Sequence, residues 1–153
     1  MTKEAYEKLK KEFGILPDYD KINKEFEIST IEKTDFLLRE IKRKIAQRIE
    51  PVMDLLERTI NPDPNSFSDL CECRCFTNGE KRQIIDVFRH LMEQYRSLME
   101  TDLIGEDKLD AETIRKIHDI WQQEKKQVLP FLKKIRECWQ KHVEPKEILE
   151  YLG

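Results

Sequence analysis

An all-α fold follows from three features of the 153-residue sequence. Charged residues make up 39% of it and only four residues are glycine, so turns are few and solvated faces many. Apolar residues recur at spacings of three and four over stretches of up to about thirty residues. No stretch alternates apolar and polar residues as a half-buried strand does. The expected architecture is an elongated antiparallel bundle of three long helices, two of them proline-kinked, with several short helices. Residues 1–153 are expected to form one domain.

Short helices are expected over 1–28. Thr2 is placed to cap the first, and Ala5, Tyr6, Leu9 and Phe13 share its inner face. Gly14 stands where a left-handed residue closes a helix, with Pro17 as a stop. Asp18 or Asp20 can cap a second short helix carrying Ile22, Phe26 and Ile28. Ser29 to Glu32 reads STIE, the pattern of a capping box, and so predicts a long helix over 29–60. Leu38, Ile41, Ile45, Ile49, Val52, Leu56 and Ile60 form its stripe. Pro51 falls inside it and predicts a kink, or else two helices meeting at Glu50.

The NPDPNS run at 61–66 is the clearest break. A short segment from Phe67 to Phe76 follows, containing LCECRCF. TNGE at 77–80 is a second capping box and predicts a helix over 79–104, closed by Gly105. Asp110 is placed to cap a last long helix over 110–143. Its stripe runs through Ile114, Ile117, Trp121, Val128, Leu132, Ile135 and Trp139, skips the level of Glu124, and is interrupted by Pro130. Pro145 opens a short helix over 145–152. Stripes of this spacing suit coiled-coil packing.

Charge and hydropathy narrow the function classes. With 28 basic and 31 acidic residues the net charge is −3, whereas a dedicated nucleic-acid binder carries a basic excess. Nucleic acid is therefore possible but not favoured as a partner. The one locally basic stretch, REIKRKIAQR, holds Arg39, Lys42, Arg43, Lys44 and Arg48 among acidic flanks and reads as a solvated helix face. No apolar run approaches the ~18 residues needed to cross a bilayer, and the N-terminus lacks the apolar core of a signal peptide. These features lead to the expectation of a cytoplasmic protein, not membrane-bound, with reduced cysteines.

The topology gathers the chemistry-bearing residues at one end. Helices running up, down and up bring LCECRCF beside Cys138 and His142. Cys71 and Cys75 are four apart, as are Cys138 and His142, so two helical pairs could close a Cys₃His zinc site. The bland reading is that the cysteines are small buried hydrophobes in a short helix that plugs the bundle, with Cys73 turned nearer water or toward a second contact, and no metal bound. A disulfide or redox role is the remaining option.

RECWQKH at 136–142 has the form Arg-x₅-His and resembles the motif of HEPN-type RNases, which are compact helical bundles. That resemblance, over seven residues, implies phosphate binding by Arg136 and acid/base work by His142 at a dimer interface. The family favours a small polar residue after the arginine, where this chain has Glu137. Elsewhere, His118 borders the stripe and reads as a satisfied, half-buried imidazole, His90 lies on the polar side, and Glu32, Asp35 and Glu40 read as solvated carboxylates. No set of residues makes a persuasive catalytic or cofactor site. The leading expectation is a non-catalytic interaction or scaffold module that meets another protein, or its own copy, through apolar helix faces.

Overall fold

Helices make up almost all the regular structure of the computed structural model, which describes residues 1–141. They are α1 (Thr2–Phe13), α2 (Tyr19–Phe26), α3 (Leu37–Ile60), α4 (Phe67–Arg74), α5 (Asn78–Ile104) and α6 (Asp107–Trp139), with one 3₁₀ turn at Ile28–Thr30. No strand occurs among the described residues. No described helix is long and apolar enough to cross a membrane. The helix expected over 145–152 lies outside the described residues.

The chain forms two compact units. The first contains Met1–Pro51 and Met92–Gln122; the second contains Val52–Leu91 and the chain from Gln123 onward. The three long helices thus each contribute to both. α3 continues through Pro51 and α6 through Pro130. Each proline leaves one carbonyl four residues earlier without a helix donor. Those residues, Gln47 and Lys126, are exposed like the prolines themselves, so water can serve the carbonyl and the helix need not end.

The two capping boxes fare differently. At TNGE the box forms: the Thr77 amide donates to Glu80 Oε1 at 3.1 Å and the Glu80 amide donates to Thr77 Oγ1 at 3.2 Å. At STIE it does not, and α3 begins eight residues later, at Leu37. Glu27 takes a left-handed conformation (φ 55°) that ends α2, and the Ser29 amide donates to Asn23 Oδ1 at 2.8 Å. Ile28 and Ile31 are buried on either side. Thr2 was expected to be a cap. It lies inside the first turn of α1, and its hydroxyl donates to the Ile31 carbonyl at 2.8 Å, which holds residues 31–36 off the helical path.

Within the first unit the core is built from Tyr6, Leu16, Ile22, Phe26, Ile41, Ile45 and Ile49, together with Ala111, Ile114 and Ile117. Tyr6 donates its hydroxyl to the Pro17 carbonyl at 2.6 Å, and burial raises its phenol well above the ordinary range. The second unit packs Leu56, Leu70, Phe76, Ile84 and Val87 with Val128, Phe131 and Ile135. Phe76 and Phe131 meet edge to face with ring centroids 6.0 Å apart. Lys134 sits over the Phe76 ring and holds Glu80 at 2.5 and 2.7 Å, which lowers the Glu80 pKa.

Lys42 departs most from its expected place. It is not on a solvated basic face; it is buried in the first unit, 2% exposed. Its ammonium donates to Asp110 Oδ1 at 2.6 Å, to Thr101 Oγ1 at 3.2 Å and to Asp102. Asp110 is therefore not the cap of α6, which starts at Asp107. It points inward as the buried partner of Lys42. Two others of the basic run are also engaged: Arg43 pairs with Glu40, and Arg48 donates to the Glu25 carbonyl.

Removing Lys42 strands a buried carboxylate, so Lys42→Met is expected to cost about 3–5 kcal/mol. The double variant Lys42→Met/Asp110→Leu is expected to recover a large part of that loss, because the carboxylate that remains, Asp102, is exposed to water. Denaturant titration of the two single variants and the double one measures the coupling. Additive single effects would show that the pair is not the source of the stability.

Candidate functional site

The detour of residues 31–36 opens a groove in the first unit. Its volume is about 650 Å³. One wall is α1, with Glu4, Ala5, Lys8, Leu9 and Glu12. The facing wall is the segment entering α3, with Asp35, Phe36, Leu38 and Arg39. Gly105, Asp107 and Asp110 close one side. Phe36 is 66% exposed although it is a large aromatic, and the Arg39 guanidinium lies 5.2 Å from its ring centroid. Leu103 and Ile104, beside Gly105, are also exposed. Gly105 adopts φ 73° to end α5, and a two-residue link leads straight into α6.

Sequence reasoning missed this groove because it placed 29–36 in a helix. The signal that could have found it is Phe36 itself. It precedes Leu37 and Leu38 yet stands outside the stripe that starts at Leu38.

The cysteines lie in the second unit. Ser66 caps α4 by accepting from the Asp69 amide at 3.2 Å, and Asp69 in turn accepts from the Asp63 amide at 3.2 Å. This places Leu70, Cys71 and Cys73 in the interior, while Cys75 follows the helix and is half-buried. Of the two settings open to Cys73, water or a second contact, it takes the buried one. Cys75 and Cys138 form a disulfide, with Cα atoms 6.2 Å apart, in place of the reduced thiols expected. Phe67 and Trp139, the latter next to Cys138 in the chain, meet at a tilt of 46° with ring centroids 6.3 Å apart, both partly exposed.

The expected convergence of LCECRCF with Cys138 is therefore present, but two of the four postulated zinc ligands are joined to each other. A disulfide sulfur offers no thiolate to a metal. Burial raises the Cys71 thiol pKa, which keeps it protonated. No group of three or more His, Cys, Asp or Glu among the described residues is disposed to hold a metal ion. Arg136 is exposed on α6. His142, its partner in the Arg-x₅-His pattern and the fourth postulated zinc ligand, lies outside the described residues.

The other histidines differ in setting. His90 Nδ1 lies 3.0 Å from Glu124 Oε1 in the second unit; Glu124 is buried, so the gap in the α6 stripe is filled by a carboxylate that takes a histidine. His118 is buried in the first unit and is not satisfied: neither ring nitrogen has a hydrogen-bond partner. Its ring meets Phe26 edge to face, and the Asp119 carboxylate lies 3.6 Å from Nδ1, beyond hydrogen-bond reach. Burial lowers its pKa, while Asp119 and Glu25 oppose that shift and Arg115 reinforces it.

No protein-family model matches the chain, and no curated protein or solved structure matches it either.

Two measurements check this geometry. Alkylation of the unfolded, unreduced protein is expected to modify two thiols, Cys71 and Cys73, and after reduction all four. The disulfide closes a loop with a sequence separation of 63 residues, so Cys75→Ser and Cys138→Ser should each lose up to about 4 kcal/mol by the loop-entropy relation. Labelling of four thiols without reductant would refute the pairing. For His118, the folded pKa lies below its ordinary value of 6.5, so the unfolded chain binds the proton first. Stability is then expected to fall as pH drops below about 6.5, down to the folded pKa. Melting curves of His118→Leu should lack that decline.

Proposed function

We propose that the chain is a non-catalytic protein-interaction module whose partner lays a helix into the groove of the first unit. The carrying observation is an exposed Phe36 at the side of a 650 Å³ concavity. Ala5, Leu9 and Leu38 supply apolar lining and charged side chains surround them. The volume falls within the ~300–1,000 Å³ of typical binding sites. An apolar centre with a polar rim is the composition of a recognition surface, and helix-in-groove docking requires no more than this. Exposed Leu103 and Ile104 extend the apolar surface past Gly105.

Selection from a displayed library of amphipathic helices tests the reading. Binders are expected whose affinity falls about tenfold or more with Phe36→Ala, the loss of one buried aromatic side chain being worth that much. Leu129→Ala, an exposed leucine of the second unit, should leave binding unchanged. A library that yields no binder, or binders indifferent to Phe36→Ala, would overturn the proposal.

A further inference from the structure

The charge around the groove identifies the kind of helix it takes. We infer that the occupant is a basic amphipathic helix of a partner protein, an inference that rests on the interaction-module reading above. Five carboxylates line the groove against two cationic side chains. Of the five, Asp110 is neutralised by Lys42 from below. Glu4, Glu12, Asp35 and Asp107 remain exposed. The two cationic side chains, Lys8 and Arg39, whose guanidinium lies over the Phe36 ring, are thus outnumbered by two by the exposed carboxylates.

The acids also stand in a useful order. Glu4, Lys8 and Glu12 are four residues apart and so form one row along α1. Ala5 and Leu9 form the adjoining row, and Leu38 lines the groove with them. Asp35 and Asp107 lie on the remaining sides. A helix lying in the groove presents its apolar stripe to Ala5, Leu9 and Phe36, and its flanking side chains then meet carboxylates on either side. Lysines or arginines there gain a pair each, whereas acidic side chains are repelled at the same positions. Nucleic acid, lined with phosphates, is repelled as well. One exposed pair contributes little by itself, but several acting together set a preference of about tenfold, while the apolar contacts serve any helix equally.

The test uses the whole chain and three synthetic helices sharing one leucine stripe, with lysine, glutamine or glutamate at the flanking positions. Fluorescence anisotropy at low and physiological salt reports their affinities. The lysine helix is expected to bind at least about tenfold more tightly than the glutamine helix at low salt, with the glutamate helix weakest. The lysine preference should vanish in Glu12→Lys/Asp35→Lys and persist in Glu57→Lys/Asp86→Lys, which makes the same charge change in the second unit. Equal loss in both double variants would mean a general attraction to an acidic chain and would overturn the inference. Equal affinity for the lysine and glutamine helices, still dependent on Phe36, would also overturn it while leaving the interaction reading intact. Failure of all three helices to bind refutes the inference; library binders dependent on Phe36 would then separate that failure from failure of the module reading.

Discussion

An ammonium ion taken out of water needs acceptors for its three N–H donors and a negative charge to offset its own. Lys42 finds these on two other helices, in Thr101 and Asp102 near the end of α5 and Asp110 in the first turn of α6. The arrangement constrains the whole neighbourhood. Thr101 and Asp110 can reach one ammonium only if the connection between α5 and α6 turns back sharply. Gly105 makes that turn in a conformation that other residues adopt at a cost. Asp110 also lies where the positive end of the helix dipole favours a carboxylate. With α3, α5 and α6 tied at one point, the side of the groove that includes Asp110 is set by an ion pair, not by apolar packing alone.

The parts of this fold that were legible are those governed by periodicity. A stripe repeated over seven or eight turns can be buried in only one way, and all three long helices appear. Their beginnings were less secure, because a capping box is a local option that other donors can outbid. Thr77 and Glu80 close their box although Lys134 also holds the Glu80 carboxylate, which has acceptor capacity for both. The Ser29 amide is taken by Asn23, and Ile31 is pulled inward. Lys42 carried a signal that was passed over: it stands four residues after Leu38 and three before Ile45, within the apolar stripe. A charge at such a position is either an error of register or half of a buried pair. Its partners lie about sixty residues away in sequence, which no local pattern can show.

The cysteines illustrate a similar limit. Helix direction sufficed to bring LCECRCF and Cys138 to one end, yet spacing favoured Cys71 and Cys75 as a pair and could not say which sulfur would face α6. The short length of α4 decides it. Leu70, Cys71 and Cys73 fill the interior before the helix stops, and Cys75, just past its end, is the one left at the boundary where Cys138 arrives. Disulfides of this kind persist in oxidising compartments; the expectation of reduced cysteines rests on the cytoplasmic default, not on anything in the cysteine spacing itself.

The bond between Cys75 and Cys138 also changes the chain from a line into a ring with two tails. All of α5, the Gly105 turn and nearly all of α6 lie on that ring. The turn is exposed and is where a protease would find the backbone most accessible. A single cut there opens the ring without dividing the molecule. The nicked protein would keep its mass apart from one added water, migrate as one species until a reductant is added, and then separate into two pieces. Damage at the turn beside the groove therefore stays covalently tethered for as long as the surroundings remain oxidising.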